Sequence, residues 1–358
     1  MAERVWIIAE AGVNHNGSIK LALEMVDAAA DAGADVIKFQ SFKAEKLATP
    51  RAAKAGYQTI NTGEEGSQLA MLRSLELTAE DHLILVERCR ARNVAFMSTA
   101  FDNESLALLS TLEMPAIKIP SGDLTSAESL LGAARLDCRL IVSTGMATLG
   151  EIEQALGVIA FGLTSNGTAS GPGDFEAAYL SDVGKNALRD RVTLLHCVTE
   201  YPAPAEIVNL RAMDTMATAF GLPVGYSDHT LGIDVSLAAV ARGAVVIEKH
   251  FTLDRTLPGP DHKASLEPAE LRQLVSGIRT IELALGSPLK VPASAELLNR
   301  TIARRSLVAT RHIRKGERFT TDMMTAKRPG DGISPMEAWS LIGRPASRDF
   351  AIDEQLER

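Results

Sequence analysis

Two short apolar runs past the middle of the chain each end in a polar cluster with one histidine: Val224-Gly-Tyr-Ser-Asp-His-Thr230 and Val245-Val-Ile-Glu-Lys-His-Phe251. The Ala/Leu/Val-rich stretch between them, about Leu231 to Ala241, reads as a helix. A strand–helix–strand unit makes the two strands parallel neighbours, so His229 and His250 stand just past their carboxyl ends. Two imidazoles on one rim can share one divalent metal, each through a neutral nitrogen. The alternative is a pair of rim histidines that only hydrogen-bond. Lys38 and Lys118 come next, because each interrupts an apolar strand run, Val36-Ile-Lys-Phe39 and Ala116-Ile-Lys-Ile119. A buried ammonium needs an anionic partner or it loses its proton. Such lysines suit a carboxylate or phosphate ligand, or alternatively a Schiff base with a carbonyl substrate. Glu10 closes the first strand run and can orient or deprotonate a water, or it can simply pair with Lys38.

The elements that position these groups alternate from the start. Val5–Ala9, Val36–Phe39, Ala95–Ser98, Ala116–Ile119, Leu140–Ser143 and Val192–Leu195 read as strands, and the two histidine-bearing runs supply the seventh and eighth. Ser18 caps a first helix that Gly33 stops. Thr78-Ala-Glu-Asp81 and Thr148-Leu-Gly-Glu151 are capping boxes, and Pro268 opens a last helix to about Leu285. The segment from Ser41 to Leu77 is too long for a plain loop; it reads as a functional excursion with a short helix around Gln68 to Ser74. Gly162 to Asp182 reads as an exposed insertion. Eight strand–helix pairs predict a (β/α)8 barrel over residues 1–286. A doubly wound sheet lacks support, since no Gly-rich phosphate turn follows the first strand. The barrel brings the polar residues that follow each strand to one rim.

Residues 287–301 read as a linker, and 302–358 as a small β-rich module broken by Gly and Pro, with a core too thin to stand alone. Net charge is −8, hydrophobic residues make up 46% and charged residues 23%. No basic stripe favours nucleic acid, no apolar run is long enough for a membrane span, and no signal pattern opens the chain. A cytoplasmic enzyme of small molecules is expected. The three cysteines, Cys89, Cys138 and Cys197, have no CxxC spacing and read as buried free thiols.

The motifs together resemble the N-acetylneuraminate (sialic acid) synthase family, nearly end to end: Ile8-Ala-Glu-Ala-Gly-Val-Asn-His-Asn-Gly17, Ile37-Lys-Phe-Gln40, Lys118-Ile-Pro-Ser-Gly122, Ser143-Thr-Gly-Met146, Tyr226-Ser-Asp-His229, Glu248-Lys-His-Phe251, Gly259-Pro-Asp-His262 and Lys327-Arg-Pro-Gly330. The resemblance implies a barrel followed by an antifreeze-like (SAF, β-clip) domain. It implies metal-dependent condensation of phosphoenolpyruvate with an open-chain N-acylhexosamine, phosphate being released. It places the metal ligands at His229 and His250, and the phosphoenolpyruvate contacts at Lys38, Thr99, Lys118, Ser121, Ser143, Thr199 and Ser227. Sugar contacts fall on Gln40, Asp123, Tyr201 and Asp261. Arg328 falls where a partner's small domain reaches across a domain-swapped homodimer, and Glu10 is the carboxylate near the metal. The ion it implies is manganese, with cobalt or magnesium as alternatives. Ser-Gly-Asp stands here where the family has Ser-Gly-Glu, so Asp123 is shorter by one carbon. N-acetylmannosamine is the first expectation for the sugar. The alternative is a legionaminate-type synthase using 2,4-diacetamido-2,4,6-trideoxymannose. A Schiff-base aldolase and a non-enzymatic sugar- or ice-binding protein are more remote.

Overall fold

Strand runs that are apolar on both faces belong to a parallel sheet covered by helices outside and filled from within. The computed structural model of the protein, which describes residues 4–62 and 67–358, shows that arrangement. Eight parallel strands close into a barrel in chain order: β1 Trp6–Gly12, β2 Val36–Ser41, β3 Ala95–Ala100, β4 Ala116–Ile119, β5 Arg139–Ser143, β6 Val192–Cys197, β7 Val224–Asp228 and β8 Val246–His250. β1 pairs with both β2 and β8, which seals the ring. The predicted caps are present. Ser18 accepts the Leu21 N–H and Gly33 turns left-handed after Ala32, and both capping boxes form. The helix between β7 and β8 begins at Asp234, later than the Leu231 expected, because Gly232 adopts a left-handed turn.

The barrel interior has two layers. The lower is apolar: Ile8, Val36, Met97, Ala116, Ile141, Leu195 and Val246 form one cluster, with one residue from each strand but β7. In β7 the place belongs to Gly225, where a Cβ would lie 2.5 Å from the Val246 carbonyl oxygen and 2.7 Å from Leu195. Two residues on, each strand presents its next inward position. These are Glu10, Lys38, Thr99, Lys118, Ser143, Cys197, Ser227 and Glu248, all of them buried. A polar layer therefore rests on an apolar plug. The main apolar core lies outside the ring, between sheet and helices.

Two stretches differ from the sequence expectation. Residues 162–182 are mostly helical: the helix Leu149–Thr164 runs into them and Pro172–Leu180 forms another. Phe161 and Phe175 meet edge to face at 5.5 Å, which ties the second helix to the first. Glycine and serine mark only the turn between them. The excursion after β2 carries three short helices rather than one, Ala44–Leu47, Gly56–Thr62 and Gln68–Arg73; residues 63–66 of it lie outside the described residues.

The first compact unit ends at Gly286 and the second runs from Ser287 to Arg358. The stretch expected as a linker contains a helix, Ser294–Ala303. The second unit has a core of its own, built on Leu307, Ile313, Phe319, Phe350 and Leu356. Its only paired strands among the described residues are β9 Ser306–Ala309 and β10 Met324–Lys327, antiparallel. Isolated bridges such as Ile313 with Phe350 complete it. Turns at residues such as Gly316 and Gly343 interrupt pairing. No helix among the described residues is long and apolar enough to cross a membrane.

The packed interior at Gly225 leaves no room for growth. Gly225→Ala is expected to destabilise the protein by about 1–3 kcal/mol through overpacking, read as a lower urea midpoint with an unchanged slope.

Candidate active site

The polar layer brings four buried charges together. Lys38 Nζ lies 2.7 Å from Glu10 Oε2 and 3.6 Å from Glu248 Oε2. Lys118 Nζ lies 2.8 Å from Glu248 Oε1. Strand register makes this possible: Glu10 is level with Lys38 on one side and His250 on the other, and Ser227 is level with Glu248. Lys38 also donates to Thr99 Oγ1 (3.1 Å), Ser227 donates to Glu248 Oε1 (2.7 Å), and Gln40 donates to Glu10 Oε1 (3.1 Å).

The two carboxylates are pushed in opposite directions. Burial raises the Glu10 pKa, against the pull of Lys38. Burial would raise Glu248 too, but Lys118 and Lys38, with hydrogen bonds from Lys118 and Ser227, hold it well below the usual carboxylate range. Carboxylates separated this way divide into a fixed charge and a group able to exchange a proton. Lys38 is raised despite burial, by Glu10 and Glu248, so it stays an ammonium.

His229 and His250 lie beside this cluster, ring centroids 5.6 Å apart. His229 Nδ1 is 2.6 Å from the Val198 carbonyl oxygen. A carbonyl only accepts, so Nδ1 carries the proton and Nε2 keeps its lone pair. Ser227 Oγ lies 3.4 Å from that Nε2, but its own proton is directed to Glu248. His250 Nδ1 is buried with no hydrogen-bond partner. Burial holds the His229 pKa down to about 4 and His250 well below its ordinary value, the latter helped by His229 and Lys38. Two neutral imidazoles with unclaimed nitrogens fit a divalent cation as a two-histidine site with open positions. Charge favours it as well: the two ammoniums are already matched by two carboxylates, so an anionic ligand here needs further positive charge. Among the described residues no group of three or more His, Cys, Asp or Glu is arranged to hold a metal.

Around this floor a cavity of about 360 Å3 opens. Ser121, Ser143, Thr199, Tyr201 and Asp261 line it, with Glu10, Lys38, Gln40, Thr99, Lys118, Ser227, His229 and His250. Gly145 N–H donates to Ser121 Oγ at 3.0 Å. A Cβ on Gly145 would sit 2.4 Å from Thr199 Oγ1 and 2.7 Å from both Cys197 Sγ and Ser121 Oγ, so only glycine lets these three strand ends converge. Tyr201 stacks over His229 at 4.1 Å between centroids, and Tyr57 over Tyr201 at 4.9 Å. Asp261 is buried, and its pKa is pushed up to about 7 by burial and by Glu10.

Asp123 does not line this cavity. The 3-10 turn Ser121–Asp123 aims it at a small neighbouring hollow between β4 and the helices Asn103–Leu109 and Ala127–Ala134. Arg328 belongs to the second unit, where its Nε donates to the Ala303 carbonyl. Asp228 faces the opposite way: it pairs with Lys249 at 3.0 Å and accepts from Thr230 and Ser236 behind the sheet. The carbonyl of Val198 supports His229 instead. Glu248 joins both lysines; strand alternation from His250 is the signal that places it inside the ring. Tyr57 carried no signal, since it lies in the excursion. A larger hollow of about 530 Å3 between the outer helices is lined by apolar groups and glutamates and holds neither lysine nor histidine, so the chemistry belongs to the smaller cavity.

Residues 25–290 match the NeuB family and residues 304–357 the SAF domain. The N,N'-diacetyllegionaminic acid synthase of Campylobacter jejuni is 48% identical over 352 residues, 98% of each chain. The enzyme of that name from Legionella pneumophila is 44% identical over 98% of this chain and 93% of its own. The solved N-acetylneuraminic acid synthetase of Leptospira borgpetersenii superposes with a TM-score of 0.67 at 34% identity, covering 83% of this chain and 90% of its own.

Asp261 yields a test of the buried electrostatics. Its folded pKa, about 7, exceeds the ordinary 3.8, so the folded chain binds the extra proton between those values. Its contribution to stability is full below about pH 4 and lost as pH rises through 7. The melting-temperature difference between the wild type and Asp261→Asn should shift against the wild type between pH 5 and pH 8; a constant difference would contradict the buried acid.

Proposed function

This chain belongs to the NeuB family, and we propose that it condenses phosphoenolpyruvate with open-chain 2,4-diacetamido-2,4,6-trideoxymannose and water to give a diacetyllegionaminic acid and phosphate. The observation that carries the choice of sugar is the end-to-end similarity, 48%, to a synthase of that product. It moves the reading from N-acetylmannosamine, the first expectation, to the legionaminate-type alternative. The reaction class, a carbon–carbon bond-forming transferase that uses phosphoenolpyruvate, goes with the family, as does dependence on a metal.

In this reading Lys38 and Lys118 hold the carboxylate and phosphate of phosphoenolpyruvate, and Thr99, Ser121, Ser143, Thr199 and Ser227 add hydroxyl or backbone donors. C3 of the enol attacks the aldehyde carbon of the sugar, and negative charge grows on the carbonyl oxygen. A divalent cation at His229 and His250, when bound, supplies Lewis-acid stabilisation of that charge. Water then captures C2 and phosphate leaves. Glu10, with its raised pKa, is the group suited to take the water's proton, while Glu248 remains a fixed anion that orients both lysines. Gln40, Tyr201 and Asp261 face the sugar hydroxyls. Asp123 keeps no direct part in this scheme. The ammonium state of Lys38 and the pairing of Lys118 with Glu248 disfavour the Schiff-base reading, since a protonated amine is no nucleophile. A homodimer in which Arg328 serves the other protomer rests on family resemblance alone, as does manganese over cobalt or magnesium. A cytoplasmic location is proposed from the sequence pattern, in keeping with a small-molecule biosynthetic family.

Phosphate release should require phosphoenolpyruvate, the diacetamido sugar and a divalent ion together, and chelator should abolish it reversibly. Borohydride should trap no lysine adduct; an adduct with full activity in chelator would restore the aldolase reading. Glu10→Gln is expected to retain phosphoenolpyruvate binding by calorimetry while turnover falls roughly 10²–10⁴-fold. Near-normal turnover would remove Glu10 from the chemistry.

A further inference from the structure

The excursion between β2 and the helix Ala79–Ala91 gives the cavity a second kind of wall. Phe42, Leu47, Met71, Leu72, Leu75 and Phe101 line the same space as the lysines and histidines. They belong to one apolar cluster of their own, separate from the barrel core. Phe42 and Phe101 meet edge to face at 6.3 Å. The wall is anchored at several points. Glu76 accepts the Ala44 N–H at 2.7 Å, Asp102 accepts the Lys43 N–H at 2.7 Å, and Asn61 donates to the Pro260 carbonyl at 2.6 Å. At Gly17 a Cβ would come within 2.3 Å of the Ser74 carbonyl oxygen, so the β1 loop and the excursion are in backbone contact.

We propose that this wall is the specificity element for the aldose, taking the deoxygenated C6 methyl and the methyl of a C4 acetamido group. The inference rests on the phosphoenolpyruvate-condensing reading above and extends it to the far end of the sugar. The aldehyde carbon must reach the floor near Glu10 and the two histidines, so C4 to C6 extend away from it. N-acetylmannosamine carries hydroxyls at C4 and C6. The 2,4-diacetamido-2,4,6-trideoxy sugar replaces one with an acetamido group and the other with hydrogen. A hydroxyl pressed against leucine and methionine loses its water and gains no partner, whereas a methyl gains contact. The acetamido amide has polar company at the edge of the wall, where Gln58 and Gln68 also line the cavity. Discrimination from such a surface is limited, on the order of 10–200-fold per methyl-sized difference.

The test uses the full chain with phosphoenolpyruvate and manganese, and compares kcat/KM for three aldoses: the diacetamido trideoxy sugar, N-acetylmannosamine and 6-deoxy-N-acetylmannosamine. The wild type is expected to favour the 6-deoxy sugar over N-acetylmannosamine by about tenfold or more. Met71→Gln and Leu72→Asn, each checked for a native melting transition, are expected to cut the preference for the diacetamido sugar over N-acetylmannosamine about tenfold. The change should appear in the KM for the aldose and not in that for phosphoenolpyruvate. Equal use of the 6-deoxy and 6-hydroxy sugars by the wild type overturns the proposal without needing any variant. So does an unchanged preference in folded variants. A wild type that prefers N-acetylmannosamine to the diacetamido sugar overturns instead the choice of sugar on which the proposal stands.

Discussion

Four opposite charges shut inside a closed ring of strands are the constraint that the rest of the site answers to. Glu10, Lys38, Lys118 and Glu248 are all buried, and none could be tolerated there alone. Glu248 matters most, because it touches both ammoniums. Remove it and Lys118 loses its ion-pair partner, while Lys38 keeps only Glu10. The cluster is thus balanced before any ligand arrives. An anion can enter only by taking over part of the lysines' attention, and the displaced carboxylates then need a counter-charge. The two neutral histidines stand where such a charge would be held.

That balance also explains the divided behaviour of the acids. Glu248 has two cations and a hydroxyl on it and stays ionised. Glu10 has Lys38 and an amide, and burial wins. Asp261 has no cation among the groups acting on it, and burial and Glu10 raise it to about 7. One pocket therefore holds an anion kept ionised by its neighbours and two carboxyls whose pKa burial raises, Asp261 to about 7.

Much of this was legible in the chain. Strand–helix alternation, the caps and the (β/α)8 closure follow from local patterns that tertiary packing reinforces. The lysines were conspicuous because a charge inside an apolar run must have a reason. The orientation of Asp228 and Glu248 was harder: three polar residues in succession at a strand end leave open which faces inward, and a shift of one residue exchanges the two faces. Counting back from His229 and His250 in steps of two resolves it, putting Ser227 and Glu248 inside and Asp228 and Lys249 behind. Asp123 sits in a 3-10 turn, invisible to periodicity, that puts it on a neighbouring hollow. Two of the excursion's three helices, Ala44–Leu47 and Gly56–Thr62, were missed for a related reason. Each is a turn or two long, amphipathic toward a local cluster rather than the main core, and too short for periodicity to reveal.

The pairing of β1 with β8 carries a consequence for how the molecule comes into being. Glu10 and His250 are neighbours in space yet 240 positions apart along the chain. During synthesis nearly the whole barrel must emerge before the last staves arrive to seal it. Until then Lys38 and Lys118 lack Glu248, and His229 lacks its neighbour His250. The polar layer is therefore complete only once the ring closes: a chain missing its eighth stave lacks both Glu248 and His250.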